Sequence, residues 1–61
     1  MTAVEMEKKI MADGWYLVSI KGSHHHYLHP TKKGKVTIPF HTRPKDLSIK
    51  TVKSILKQAR L

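Results

Sequence analysis

Three consecutive histidines follow a Gly-Ser pair near the middle of the chain, and they are the residues best suited to proton transfer. Gly22 allows a sharp turn, and Ser23 then leads into His24 at the start of a strand-like segment. An imidazole has an ordinary pKa of about 6.5, so it exchanges protons readily near neutral pH. The stretch predicts a general acid–base site centred on His24, with His26 and, from the connection after the third strand, His41 as candidate auxiliary groups.

The histidines allow other interpretations. They could be polar residues of an exposed strand without chemical function. Three imidazoles, from His24, His26 and His41, would suit a zinc ion. No acidic residue lies nearby in the sequence to act as a ligand or to orient one, so we expect neither metal nor other cofactor. An expression-tag remnant is rejected because the stretch lies mid-chain and continues into Tyr27 and Leu28.

Strand alternation predicts which histidines face solvent. If His24 begins a strand, His24 and His26 point to one face, and His25, Tyr27 and His29 point to the other. Tyr27 is the better core residue, so we expect His24 and His26 on the open face. The same alternation should bury the apolar residues of the next strand, which are Val36, Ile38 and Phe40.

The charge balance points to a polyanionic partner. Twelve lysines and arginines against four acidic residues give a formal net charge of +8. Such a chain gains affinity for nucleic acid by releasing counterions from phosphates, although an acidic protein partner or simple solubility would also use this charge. The predicted phosphate-binding residues, which could otherwise form a solvated loop surface, are Lys21, Lys32, Lys33, Lys35, Arg43 and Lys45.

Length and composition limit the fold. A chain of 61 residues predicts a single domain, residues 1–61, with one thin core, so chemistry must take place on an open face. The absence of cysteine suits a reducing cytoplasm. We expect no signal peptide and no membrane span. Trp15 and Tyr16 could stack on bases, but core packing is the expected function of at least one of them.

Local signals predict five elements in the order α-β-β-β-α. Thr2 and Glu5 fit a capping box for a helix over residues 3–13, with Gly14 in a left-handed conformation at its end. Strands are expected over residues 15–20, 24–29 and 35–40, and a loop over 41–46. Ser48 should cap a second helix that ends near residue 59 and buries Val52, Ile55, Leu56 and Ala59. The predicted fold is α+β, a three-stranded antiparallel sheet with both helices on one face.

Several segments together resemble the HicA family of bacterial toxins. The resemblance rests on Gly14-Trp15, Lys21-Gly22-Ser23-His24-His25, Tyr27-x-His29-Pro30, Val36-Thr37-Ile38-Pro39 and the ending Thr51-Val52-Lys53-Ser54-Ile55-Leu56-Lys57-Gln58-Ala59. It covers nearly the whole chain, and the motifs keep their order. The resemblance implies a double-stranded-RNA-binding-like fold and an mRNA interferase, a ribonuclease that cleaves transcripts and arrests growth.

Site residues and a partner also follow from the resemblance. The family's catalytic histidine falls on His24, and Gly22 and Ser23 complete its motif as shaping residues. A HicB-type antitoxin that covers this histidine is implied, so we expect a hetero-oligomer with it. Two departures affect local shape: glycine is missing after His41, and Arg60 replaces the glycine that usually ends the last helix, at a cost of up to about 1 kcal/mol.

The sequence therefore predicts a metal-independent endoribonuclease that uses His24 as general acid or base. The alternative is a non-catalytic double-stranded-RNA-binding module, which reads RNA by shape and backbone contacts. A third class is a protein-interaction domain whose basic face meets only an acidic partner. RNA cleavage distinguishes the first hypothesis, and salt-sensitive RNA binding separates the second from the third.

Overall fold

The computed structural model describes residues 1–40 and 46–61. Its three strands form one antiparallel sheet in the order β1-β2-β3. The elements are α1 (Ala3–Ala12), β1 (Tyr16–Lys21), β2 (His24–Leu28), β3 (Val36–Pro39) and α2 (Ile49–Ala59). The predicted α+β class and the order α-β-β-β-α are confirmed.

Helix α1 begins at the predicted capping box. The Thr2 hydroxyl accepts a hydrogen bond from the Glu5 amide at 3.1 Å, and the Thr2 amide donates to the Glu5 carboxylate at 2.8 Å. This reciprocal pair satisfies amides that the helix itself leaves without partners. The hydrogen bond from the Thr2 amide lowers the pKa of the Glu5 carboxyl most, and the hydrogen bond with the Thr2 side chain lowers it further.

The chain leaves α1 through Gly14, which turns Trp15 into the core. Gly14 adopts a φ of 110°, its amide donates to the Met11 carbonyl at 3.0 Å, and the Trp15 amide donates to the Ile10 carbonyl at 3.2 Å. These two bonds form a Schellman motif, as the glycine predicts. Trp15 is therefore buried, with 1% of its surface exposed, and β1 begins one residue later than predicted.

A two-residue turn at Gly22 and Ser23 joins β1 to β2. Lys21 pairs with His24 across the turn, and only the first of the two central residues, Gly22, has a positive φ, of 60°. This is the pattern of a type II′ turn, whose twist matches that of the flanking strands. Because a two-residue turn fixes the pairing register, it also fixes which β2 side chains face outward.

The sheet buries one face against both helices. The core consists of Ala3, Met6, Ile10, Trp15, Tyr27, Val36, Ile38, Ile55 and Ala59, with Phe40, Leu47, Val52 and Leu56 packed against it. Tyr27 is fully buried, and its hydroxyl donates to the Glu7 carboxylate of α1 at 2.5 Å. His24 is exposed and His26 half-buried. The predicted alternation along β2 and the burial of Val36 and Ile38 are confirmed, and Phe40 is partly buried against the core.

Strand β2 ends at Leu28, one residue earlier than predicted, and the ring of His29 then binds backbone groups on two sides. Its Nε2 donates to the Asp13 carbonyl at 2.7 Å, while Nδ1 accepts from the amides of Thr31 and Lys32, each at 3.0 Å. Nε2 is therefore the donor of this ring and Nδ1 the acceptor. This side chain ties the turn between β2 and β3 to the end of α1.

Helix α2 starts and ends at the predicted residues. Ser48 caps it by accepting from the Thr51 amide at 3.2 Å, and α2 ends at Ala59. Arg60 takes the left-handed conformation, with φ 57°, that a glycine would adopt without steric cost. The Gln58 side chain accepts from the Thr37 amide at 3.0 Å, which joins α2 to the outer edge of β3.

Replacing Gly14 by alanine should destabilise the fold more than replacing Gly22. Both residues have positive φ, which costs an alanine about 1–2 kcal/mol. A Cβ at Gly14 would also lie 2.7 Å from His29 Nε2, whereas one at Gly22 meets nothing within 4 Å. Urea denaturation should therefore show a larger loss of unfolding free energy for Gly14→Ala than for Gly22→Ala. Equal losses would contradict the close approach of His29.

Candidate active site

His24 stands at the hairpin end of the open sheet face. It is the first residue of β2, is exposed, and lies between Lys21 of β1 and Pro39 of β3 in one cross-strand row. The Gly22-Ser23 turn directly precedes it. The Ser23 carbonyl accepts from the Phe40 amide at 2.6 Å, so the turn is held against the end of β3.

His26 lies in the next row of the same face, between Ser19 and Thr37. Two residues of a strand span about 7 Å, so both imidazoles can reach one small group bound over the sheet. His26 Nδ1 forms a 3.0 Å hydrogen bond with the Thr37 hydroxyl, which orients the ring. Desolvation lowers the pKa of His26 below 6.5, and the charges of Lys35 and Lys21 lower it further. The neutral ring is therefore favoured.

Lys21 and Lys35 flank the two histidines. Lys21 ends β1 beside His24, and Lys35 directly precedes β3. Alternation along β3 places Lys35 on the same face as Thr37. Because both ammonium groups lower the pKa of His26, their fields reach the centre of this face. We call Lys21, His24, His26, Thr37 and Lys35 the open-face site.

Two other predicted phosphate-binding lysines lie in the connection between β2 and β3. Lys33 is exposed there, beyond the end of β2 opposite to His24. Lys32 is engaged on the helix side: its ammonium contacts the Asp13 carboxylate at 2.5 Å and donates to the Ala59 carbonyl at 3.2 Å. Lys32 thus joins the ends of both helices, and we propose no phosphate contact for it.

The remaining histidines have different surroundings. His25 faces inward, where its ring stacks on Phe40 with centroids 3.8 Å apart and an angle of 15° between planes. His29 contacts Trp15 edge-on at 5.2 Å and holds the backbone described above. His41, Arg43 and Lys45 lie outside the described residues. Within residues 1–40 and 46–61, no three side chains of the metal-binding types converge.

Strand β1 carries an apolar surface that the sequence analysis did not single out. All six of its residues are exposed, including Tyr16, Leu17, Val18 and Ile20, of which Ile20 is 54% exposed. The register shifts between Leu17 and Ser19, which places a bulge at Val18. Apolar side chains concentrated on an edge strand mark a surface for protein contact. Ile20 pairs with His25, so its side chain lies on the opposite face of the sheet from Lys21 and His24.

A shallow cleft lies between the C-terminal ends of the two helices, on the side of the molecule that carries Lys32. Its lining residues are Lys9, Ala12, Asp13, Leu56 and Leu61. Asp13 is already paired with Lys32, so the cleft offers no group comparable to the two imidazoles. Across the described part of the chain, no helix has the length and apolarity to cross a bilayer.

Fold and site together define a class: small, basic α+β proteins that present histidines and lysines on an open sheet. A family model described as the HicA toxin of bacterial toxin–antitoxin systems matches residues 3–61. The chain therefore belongs to the HicA toxin family and is a toxin of a toxin–antitoxin system. A search of curated proteins found no match to it. The family resemblance given by the sequence motifs is confirmed.

Replacing Asp13 by asparagine should remove a pH-dependent part of the stability. The Lys32 hydrogen bond, and then the charges of Lys32 and His29, lower the pKa of Asp13 below 3.8. A carboxyl with a lowered pKa in the folded state stabilises the protein above its unfolded pKa, and this contribution disappears as the pH falls through the folded value. Asp13→Asn should be less stable than wild type at pH 7, and the difference in unfolding free energy should begin to shrink only below about pH 4, as the pH approaches the lowered pKa of Asp13.

Urea denaturation at pH 7, 5, 4 and 3 measures this difference. Asp46→Asn, at an exposed carboxyl, is the matched control and should show little difference at any pH. If the difference in unfolding free energy between wild type and Asp13→Asn stays constant from pH 7 to 3, ionisation of Asp13 beside Lys32 is not the source of that difference.

Proposed function

We propose that this toxin is a metal-independent endoribonuclease that cleaves mRNA in the cytoplasm and arrests growth, with His24 as general acid or base. The observation that carries the proposal is the position of His24: exposed, at the start of β2, beside Lys21 and on the same face as His26. Membership of the HicA toxin family supports a growth-arresting activity.

RNA offers this site a reaction that needs no metal. A base removes the proton of a 2′-hydroxyl, the resulting oxygen attacks the adjacent phosphorus, and an acid protonates the leaving 5′ oxygen. Proton transfer by positioned imidazoles accelerates such reactions by about 10²–10⁴-fold. DNA lacks the 2′-hydroxyl and cannot react in this way. An open face suits the substrate, because a long RNA strand can cross the sheet without entering a cavity.

The charge distribution supports RNA as the substrate. The chain has a formal net charge of +8, and Lys21 and Lys35 flank the histidines on the open face. Phosphates of a strand lying across the sheet would meet these ammonium groups on either side of the scissile bond. Lys33 would extend the contact beyond the end of β2, and Arg43 and Lys45 remain predicted contacts from the sequence. Binding of this kind weakens steeply as salt is added.

A HicB-type antitoxin that covers His24 completes the proposal. Strand β1 is an edge of the sheet with exposed apolar side chains, among them Val18 and Ile20, and its last residue, Lys21, pairs with His24 across the hairpin. A protein that buries this strand would also reach His24. Acidic residues on its contact surface would complement the positive charge of the toxin, and burial of the apolar side chains would supply affinity.

His24→Ala should lose RNA cleavage by about 10²–10⁴-fold and should retain the fold, because its side chain is exposed. His25→Asn is the matched control: the same residue type is replaced one position along, on the inward face. Cleavage of a labelled RNA by each purified protein, with circular dichroism to confirm folding, measures the effect. Growth and transcript integrity after expression give the cellular readout.

Three results would contradict the assignment. Equal cleavage by wild type and folded His24→Ala would make His24 structural. An equal loss of cleavage in folded His25→Asn would show that activity does not depend on which face of the sheet the histidine occupies. Salt-sensitive RNA binding by a wild type that cleaves nothing would favour the non-catalytic RNA-binding module.

A further inference from the structure

We propose that His26 is the general base of the cleavage reaction, held in place by Thr37, and that His24 is the acid that protonates the leaving oxygen. This inference rests on the proposed ribonuclease function and divides its two proton transfers between two residues. The observation that carries it is the arrangement of the open face, where the two imidazoles occupy neighbouring cross-strand rows and the Nδ1 of His26 is hydrogen bonded to Thr37 of the next strand.

The hydrogen bond to Thr37 prepares His26 for proton acceptance. When Nδ1 carries the ring proton and donates it to the Thr37 hydroxyl, the lone pair of the neutral ring lies on Nε2. Within the described part of the chain, Nε2 forms no hydrogen bond, so it is available to a substrate hydroxyl. A base oriented through its second nitrogen by another side chain is the usual arrangement for this chemistry.

Thr37 is itself held in place by α2. Its amide donates to the Gln58 side chain at 3.0 Å, and the Gln58 amide group donates to the Ser54 hydroxyl at 3.3 Å. A chain of hydrogen bonds therefore runs from helix α2 through β3 to the His26 ring. Because α2 packs against the core, the hydrogen bonds that orient the His26 ring are anchored to the core of the protein.

The electrostatics of the face favour the same assignment. Every charged or titratable group that acts on His26 from the described elements is cationic or an imidazole: Lys35, Lys21, His24 and His25. Together with desolvation they lower its pKa, so the ring is neutral at neutral pH and can accept a proton. A group that starts neutral can act as base, and the second imidazole is then left to act as acid.

The proton of the 2′-hydroxyl passes to His26 Nε2 while the 2′ oxygen forms a bond to phosphorus. The bond from phosphorus to the 5′ oxygen breaks, and that oxygen takes a proton from the His24 imidazolium. The products are a 2′,3′-cyclic phosphate and a 5′-hydroxyl end. Exchange of one proton with solvent at each imidazole restores both groups.

A substrate with sulfur in place of the leaving 5′ oxygen separates the two functions, because a thiolate leaves without being protonated. On the ordinary RNA, His24→Ala and His26→Ala should each be slower than wild type by about 10²–10⁴-fold. On the sulfur substrate, His24→Ala should recover to near the wild-type rate, whereas His26→Ala should remain slow. Circular dichroism establishes that each variant is folded, and His26→Gln provides a second variant should His26→Ala not fold.

Thr37 variants test the positioning hydrogen bond. Thr37→Val keeps the shape but removes the hydroxyl, so it should lower kcat on both substrates with little change in KM and should move the acidic limb of the pH–rate profile. Thr37→Ser keeps the hydroxyl and should restore both. A purely structural function of Thr37 would not move the pH profile.

Distinct results overturn the inference at different levels. Unchanged cleavage of both substrates by folded His26 variants would remove His26 from the reaction and leave the ribonuclease function intact. Recovery of His26→Ala on the sulfur substrate, with His24→Ala still slow, would show that the functions are reversed. A wild-type protein that cleaves neither substrate would overturn the ribonuclease function itself.

Discussion

The alternation of side chains along β2 is the constraint on which the rest of this structure depends. Tyr27 must enter the core, and a strand that buries Tyr27 must also turn His25 inward and His24 and His26 outward. The two-residue turn at Gly22 fixes the register that makes this assignment unique. A shift by one residue would bury His24 and His26 and expose Tyr27. The five residues of β2 thus contribute to the core on one face and to the site on the other.

The charges divide between the two sides of the sheet. On the helix side, Lys32 is paired with Asp13 and caps α2 through the Ala59 carbonyl, so its charge serves stability. On the open side, Lys21 and Lys35 stand near His26 and lower its pKa, so their charges serve the site. This division lets a chain with a net charge of +8 keep a local ion pair where the helix ends meet and leave positive charge where a phosphate would bind.

Local signals in the sequence predicted most of the fold. The capping residues Thr2 and Ser48, the turn glycine Gly22 and the alternation around Tyr27 each act within a few residues, so pattern alone identifies them. Contacts between distant segments were not predictable in this way. The pairing of Lys32 with Asp13, the hydrogen bond of His26 to Thr37 and the backbone contacts of His29 depend on the packed fold. The exposure of β1 was missed because its composition resembles that of a half-buried strand.

The proposed function of the open face depends on cleavage of RNA through the neighbouring 2′-hydroxyl. The most direct measurement uses an RNA oligonucleotide that the purified toxin cuts at one bond, together with the same oligonucleotide carrying a single 2′-deoxy nucleotide on the 5′ side of that bond. We expect a 2′,3′-cyclic phosphate and a 5′-hydroxyl from the first substrate, and no cleavage of the second although it is still bound. Cleavage of the deoxy bond, or a 5′-phosphate on the product, would contradict it.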